Sequence, residues 1–290
     1  MELHCETPRY CVPCRSKRVA PLRPEAGNFP VPMPYTAALH MNARLVIIPT
    51  YNERENIHDI LVHVFRLTPE FDVLVVDDNS PDGTADIVKE LQSTWPARLH
   101  LLQRSGKLGL GTAYIAGFNW AIQRGYGYIF EMDADFSHSP DDLVRLYDAC
   151  ASAGADMSVG SRYVKGGQVK DWSWNRVLLS YCASLYVRLI LWLSVRDTTA
   201  GFVCYQRHVL ESLPLDEIKF IGYAFQIEMK YRVRLEGFHI TEVPITFIDR
   251  AKGKSKMSSG IFKEAVLGVL VMRARIRRWQ KGASSAMAPA

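Results

Sequence analysis

Three short apolar runs, Leu45-Val46-Ile47-Ile48, Val73-Leu74-Val75-Val76 and Tyr128-Ile129-Phe130, each stop at a polar, acid-bearing segment. Continuous runs of this kind, rich in β-branched residues, are expected of strands covered on both faces. After the first, Ile57, Ile60, Leu61, Val64 and Phe65 recur at helical spacing; after the second, Ile87, Val88 and Leu91 do so. Strand, helix, strand in this rhythm predicts a parallel sheet with right-handed crossovers, whose strand ends share one edge. Glu53, Asp78 and Asp133 are therefore expected around one crevice. A chain of 290 residues with 48% hydrophobic content can bury one sizeable α/β core, and nothing calls for a second domain.

The polar segments carry the chemistry. Asp133-Ala134-Asp135 follows the third run, and two acids so placed can aim oxygen ligands at a divalent cation that bridges a diphosphate. An Asp-x-Asp triplet by itself reads more readily as a solvated loop. Asn52 with Glu55 fits a capping arrangement at a helix start, and Ser139-Pro140-Asp141-Asp142 reads as cap, first-turn proline and acids at a positive helix end. Asp77 is expected to satisfy local backbone donors, and Asp82-Gly83 is a turn. Gly106, Gly109 and Gly111 match neither the Rossmann fingerprint nor a P-loop, so they read as a flexible lead into a helix from Thr112 to Arg124.

Several longer stretches then fall into one pattern. Pro49-Thr50-Tyr51-Asn52-Glu53-Arg54-Glu55-Asn56, Asp77-Asp78-Asn79-Ser80-Pro81-Asp82-Gly83-Thr84, Gly106 to Tyr114, Met132-Asp133-Ala134-Asp135-Phe136-Ser137-His138, Gly160-Ser161-Arg162-Tyr163 and Asp249 to Lys256 occur in order. Together they resemble the dolichyl- and polyprenyl-phosphate mannosyltransferases of glycosyltransferase family 2, from about Arg44 to the final helix. The resemblance implies the GT-A fold, an α/β nucleotide-sugar-binding architecture with a mostly parallel central sheet. It also implies an inverting transfer of mannose from GDP-mannose to a polyprenyl phosphate at the cytosolic face of a membrane.

The resemblance assigns expected roles. Pro49, Tyr51, Glu53, Val76, Asp78 and Ala134 would line the nucleotide-sugar site, with Asp78 accepting hydrogen bonds from the base. Asp133, Asp135 and the hydroxyl of Ser137 would hold Mg2+ or Mn2+, hard ions that suit oxygen ligands. Arg162, Arg176 and Ser180 would bind the acceptor phosphate. Arg250 and Lys256, bracketing Gly253, Ser255 and Ser258 to Gly260, would close over the diphosphate and exclude water. Lys107 is expected either near phosphate or as a surface charge. A lipid monophosphate loses its second proton at about pH 6, by analogy with phosphoester side chains, so a strong general base is unnecessary and cations must bring two polyanions together. Asp197 and Glu228 are accordingly expected to position a loop and orient a cation.

The remaining segments are less specific. Residues 1–40 hold seven of the 15 prolines and no apolar periodicity, so they are expected to be disordered, and Met41 is an alternative start. Within them His4, Cys5, Cys11 and Cys14 form at most a weak metal-knuckle pattern. The transferase domain is expected over 41–260, followed by an amphipathic, basic helix and tail over 261–290. Arg273, Arg275, Arg277, Arg278 and Lys281 fit an anionic membrane surface or, equally, a solvated helix end. A net charge of +5 without a recognised motif argues against nucleic acid. Leu178 to Val195 is expected as a buried or interfacial helix, since Arg188 interrupts it, so membrane contact would be peripheral or supplied by an anchoring partner. No secretory signal pattern is present, and Cys150, Cys182 and Cys204 read as reduced core residues of a cytosolic protein. Two competing functions remain open at this point: transfer of glucose from a UDP-sugar to the same lipid, and a non-catalytic subunit of a membrane glycosylation complex.

Overall fold

The computed structural model describes residues 42–249 and 268–274. Strand β1 (Arg44–Thr50) leads into helix α1 (Arg54–Phe65), β2 (Asp72–Asp77), α2 (Thr84–Gln92), β3 (Leu99–Gln103), α3 (Leu110–Gln123), β4 (Tyr128–Glu131) and α4 (Asp142–Ala151). Next come β5 (Met157–Ser161), β6 (Gln168–Lys170), α5 (Trp174–Leu191), β7 (Val203–Gln206), α6 (Arg207–Ser212), α7 (Tyr223–Leu235), β8 (Ile240–Pro244) and β9 (Thr246–Ile248). Seven strands form one sheet in the order β3-β2-β1-β4-β7-β5-β8, and β6 pairs with β9 in a small parallel sheet. Only β7 runs antiparallel to its neighbours β4 and β5. The predicted α/β architecture with a mostly parallel sheet is what the chain adopts.

Alternation along each strand divides the core. Leu45, Ile47, Leu74 and Val76 face one side with Tyr114 and Phe118 of α3 and Phe225 and Met229 of α7. Val46, Ile48, Val73 and Val75 face the other, against Ile57, Ile60 and Leu61 of α1 and Leu143 and Leu146 of α4. Burying such side chains contributes about 1.5–3 kcal/mol each. Gly117 lets α3 lie directly on β1, because a Cβ there would come within 2.8 Å of the Ile47 side chain.

Helix starts depart from the capping patterns read in the sequence. Helix α1 begins after Glu53 with no side-chain cap, and Asn52 sits in the left-handed region (φ 57°), donating its N–H to Ser80 Oγ instead. Helix α4 begins after Asp141, and the Ser139 hydroxyl donates to the Asp141 carboxylate rather than capping the backbone. A tertiary bond between neighbouring loops takes the place of a local cap at Asn52, whereas Ser139 makes a local side-chain contact with Asp141. Helix α5 starts four residues before the expected Leu178 and ends at Trp192, whose left-handed backbone (φ 57°) terminates it.

Cys150 and Cys204 are buried, but Cys182 is exposed on α5, against the expectation that all three are core residues. Among the described residues no helix is long and apolar enough to cross a membrane. Residues 268–274 are helical; Val269 and Met272 pack with Val187 and Leu191 of α5 and Ile227 of α7, and Arg273 donates to the Ile190 carbonyl at 2.7 Å. The cysteine pattern near the amino end, Met41, Arg250 to Lys256 and the other basic residues of the last helix lie outside the described residues.

Candidate active site

Parallel register brings the ends of β1, β2 and β4 side by side, with Pro49 opposite Val76, Thr50 opposite Asp77, and Ile47 opposite Glu131. The loops that follow are laced together. Asp77 accepts from Thr50 Oγ1 (2.8 Å), Ser80 N (2.9 Å) and Ser80 Oγ (2.6 Å), which is the local role expected of it. Asp82 accepts from the Thr84 N–H and hydroxyl and from Arg54 N–H. Burial opposes ionisation of Asp82, but these donors outweigh it and hold the carboxyl below its usual range. Thr84 Oγ1 in turn accepts from the Glu53 N–H at 3.1 Å, so the segment carrying Tyr51 and Glu53 is fixed by the turn after β2.

Asp78 is engaged by a residue that sequence reasoning missed. Arg104, directly after β3, donates from Nε at 2.6 Å and Nη2 at 2.8 Å to the two Asp78 oxygens, and from Nη1 to Thr112 Oγ1 at 2.8 Å. Its position after an apolar strand at the same sheet edge was the available signal. The Leu108 N–H also donates to Asp78, and the Lys107 ammonium lies 4.8 Å from the centre of the Tyr51 ring. The glycine-rich segment therefore folds back over the β1 loop.

The acid pair follows β4. Ala134 and Asp135 are buried, and Ser137 donates both its N–H (3.0 Å) and its hydroxyl to Asp135 Oδ1. Ser137 is thus tied to one of its expected co-ligands. Among the described residues no group of three or more His, Cys, Asp and Glu side chains is gathered to hold a metal. Two carboxylates are the smaller set used by ions that keep positions for water and phosphate oxygens. A cation also suits the local field. The Tyr114 hydroxyl is buried without a hydrogen-bond partner, and burial followed by the charges of Asp133, Glu131 and Asp135 pushes its pKa well above the usual value. Burial and the charges of these carboxylates thus both keep the Tyr114 hydroxyl neutral, in locally electronegative surroundings.

Glu131 belongs to a buried network that the sequence reading did not anticipate. It accepts from Tyr205 Oη at 2.8 Å and from Gln226 Nε2; Lys230, one turn beyond Gln226, donates to the Ala200 carbonyl at 2.6 Å. Burial raises Glu131 to about 7 and lowers Lys230 to about 8. The sign of this network was a polar Gln226–Lys230 pair recurring at helical spacing beside the apolar Phe225 and Met229.

Ala200 ends the turn that starts at Asp197, and Asp197 holds Arg162. The Arg162 guanidinium forms a two-point pair with Asp197 (2.7 Å each) and donates to Thr199 Oγ1 at 3.0 Å. Burial resists ionisation of Asp197, and the Arg162 charge and hydrogen bonds overcome it, keeping the carboxyl below its usual range. Asp197 therefore positions a cation, and Glu228 does likewise for Arg232 at 2.8 Å. Arg176 and Ser180 lie one turn apart on α5; Ser180 accepts from Tyr163 Oη at 2.7 Å, and Arg176 pairs with Asp249 at 2.8 Å. Arg162, Arg176 and Ser180 are thereby joined through Tyr163 and the residues around β9. Along the outer side of the same helix Trp174, Leu178, Tyr181, Leu185, Leu189 and Trp192 form one exposed apolar stripe. The helix therefore packs one side, through Val187 and Leu191, and leaves the other exposed.

Residues 45–213 match the model of glycosyl transferase family 2. The chain belongs to that family. Over 225 residues it is 49% identical to a polyprenol monophosphomannose synthase of Mycolicibacterium smegmatis, covering 78% of this chain and 84% of that one. It is 48% identical over 225 residues to an undecaprenyl-phosphate mannosyltransferase of Micrococcus luteus, covering 78% and 91%. Among solved structures, glucosyl-3-phosphoglycerate synthase of Mycobacterium tuberculosis, in complex with Mn2+, UDP and phosphoglyceric acid, has a TM-score of 0.58 at 18% identity, covering 80% of this chain and 78% of that one. The mannosyltransferase PcManGT of Pyrobaculum calidifontis, with GDP-Man and Mn2+, has a TM-score of 0.53 at 19% identity, covering 85% and 68%. These two likenesses establish the shared GT-A fold of this family 2 member.

Proposed function

We propose that this glycosyltransferase moves mannose, with inversion, from GDP-mannose to a polyprenyl phosphate at the cytosolic face of a membrane. The observation that carries the reading is the pairing of a strand-end carboxylate pair with two guanidinium groups beside an exposed apolar helix. An acid pair suits a nucleotide diphosphate, arginines suit a second phosphate, and the stripe on α5 suits the hydrocarbon that such a phosphate would carry. The names of the two relatives near 50% identity support mannose and a polyprenyl acceptor.

In this reading Asp133 and Asp135, with Ser137 steadying Asp135, would hold Mg2+ or Mn2+, whose charge would neutralise the departing diphosphate. The Glu53–Tyr51 segment and the Asp78–Arg104 pair would frame the nucleoside, with Pro49, Val76 and Ala134 as walls. Arg162, Arg176 and Ser180 would receive the acceptor phosphate, and Arg250 and Lys256 would cover the diphosphate. The acceptor is already largely anionic at neutral pH, so these residues orient and neutralise, and none needs to remove a proton. The membrane contact would be peripheral, through α5 and the terminal helix, with an anchoring partner as an alternative support.

The deciding experiment incubates purified protein with radiolabelled GDP-mannose or UDP-glucose, a short polyprenyl phosphate, and Mg2+ or Mn2+. Labelled mannosyl lipid formed in preference to glucosyl lipid is expected. Equal or better use of UDP-glucose would replace the donor, and no lipid product with either sugar would remove the acceptor class.

A further inference from the structure

The two cations assigned above to the acceptor phosphate stand on different elements, Arg162 after β5 and Arg176 on α5, and one indole lies against both. The Arg176 guanidinium carbon lies 3.9 Å from the centre of the Trp172 ring, and that of Arg162 lies 5.6 Å from it. Trp172 meets Phe247 of β9 edge to face, with centroids 5.3 Å apart, and Arg162 also lies 5.4 Å from the Phe247 ring. Phe247 meets His138 at 5.2 Å, and His138 stacks on buried Phe202 at 4.9 Å. A column of four rings therefore runs from the core to Arg176. It passes through the loop that carries the acid pair, because His138 follows Ser137 directly. A backbone bond ties the same two segments, the Ile248 N–H donating to the Ser137 carbonyl at 3.1 Å.

We infer that Trp172, backed by Phe247, is a positioning residue that holds Arg162 and Arg176 at a fixed offset from the metal-binding loop. The inference rests on the acceptor reading given above. Its physical basis is the attraction of a guanidinium to a ring face, which is directional and does not consume the N–H donors a phosphate would use. The Trp172 indole N–H is buried with no hydrogen-bond partner, so the ring is placed by its face and edge contacts alone. Phenylalanine should consequently replace it in part. Arg162 has a second anchor in Asp197, whereas Arg176 is half-exposed and has Asp249, so Arg176 depends more on the ring.

The test compares wild type, Trp172→Phe and Trp172→Leu with GDP-mannose, a short polyprenyl phosphate and Mn2+. Trp172→Leu should raise the acceptor KM roughly tenfold and leave the donor KM within about twofold, with Trp172→Phe intermediate. A structural role alone would move both constants, or neither, so an unchanged acceptor KM, or equal rises in both, overturns the inference. Nuclear magnetic resonance of the Arg176 side chain supplies a readout that needs no substrate. Its signals should be shifted upfield by the indole ring current in wild type, remain partly shifted in Trp172→Phe, and lose the shift in Trp172→Leu. Unshifted Arg176 signals in wild type overturn the inference whatever the kinetics. Absence of any lipid product from wild type, with the shift present, would instead remove the acceptor reading and leave the ring contact standing.

Discussion

The proposed donor edge and the proposed acceptor corner of this molecule are built on different plans. At the donor edge the acids follow the ends of parallel strands, and each is held by a loop close in space: Asp77 by Ser80, Asp82 by Thr84, Asp135 by Ser137. At the acceptor corner Arg162, Trp172, Arg176, Asp197 and Phe247 arrive from five segments and hold one another by charge and ring contacts. Strand ends are placed by the sheet, so their geometry survives small changes. At the corner Arg162 alone directly follows a strand of the main sheet; the other members are held by contacts with one another, and losing one exposes the rest.

That contrast is broken or sharpened first by stability. Asp197→Ala leaves the Arg162 charge buried without its partner and should cost about 3–5 kcal/mol, read from urea unfolding. Asp78→Ala, which unpairs Arg104 where it retains Thr112 and the Gly109 carbonyl, should cost less. Equal losses would mean that the two regions are supported alike. Activity comes next. Asp135→Ala should lower turnover by roughly two to three orders of magnitude, as for loss of a group that stabilises developing charge, and should abolish Mn2+-dependent binding of GDP in calorimetry. Undiminished Mn2+ dependence in this variant would take Asp135 out of the site.

A smaller and more selective effect is expected at the corner. On the proposed reading Arg176→Ala removes one charge-assisted contact to the acceptor and should raise the acceptor KM about tenfold, with donor affinity unaltered. Because Arg176 is half-exposed and shared with Asp249, the fold should tolerate its loss far better than that of Asp197. Steady-state titration of each substrate against the other separates the outcomes, and a matching rise in donor KM would show that the two regions are one.

The same contrast explains what could be read without coordinates. The runs ending at Ile48, Val76 and Phe130 were legible as strands because burial on both faces leaves a continuous apolar signature. Their acids were legible because a parallel sheet puts such ends together. Arg104 was not singled out, although it stands after a strand of the same edge, because a lone arginine carries no pattern until its partner Asp78 is known. Trp172 and Phe247 had no periodicity to betray them: Phe247 lies in β9 and Trp172 just after β6, two short strands that pair only at long range. The capping pattern at Asn52 fails because a loop-to-loop contact with Ser80 prevails, and that at Ser139 because its hydroxyl bonds the Asp141 side chain instead of the backbone. Exposure of Cys182 on the helix behind Ser180 and Arg176 likewise required knowing which face of α5 the core takes.

The smallest effect concerns the far side of the donor half. His100 on β3 lies against Trp120, with centroids 4.8 Å apart, and burial, then the nearby Arg124 charge, lowers its pKa from 6.5 to about 4. Between these values the unfolded chain takes up a proton that the folded chain refuses, so unfolding becomes more favourable as the pH falls from 6.5 towards 4. A shift of that size corresponds to about 3 kcal/mol if fully effective, and screening at a partly exposed ring reduces it to about 1 kcal/mol. His100→Gln should therefore flatten the decline in urea midpoint between pH 7 and 4.5 while leaving turnover at pH 7 unchanged. His138 is lowered to about 4 as well, but it stands in the ring column beside the metal loop, so its replacement should change turnover. If His100→Gln impaired transfer as much as His138→Gln, the separation between framework and reaction corner drawn above would fail.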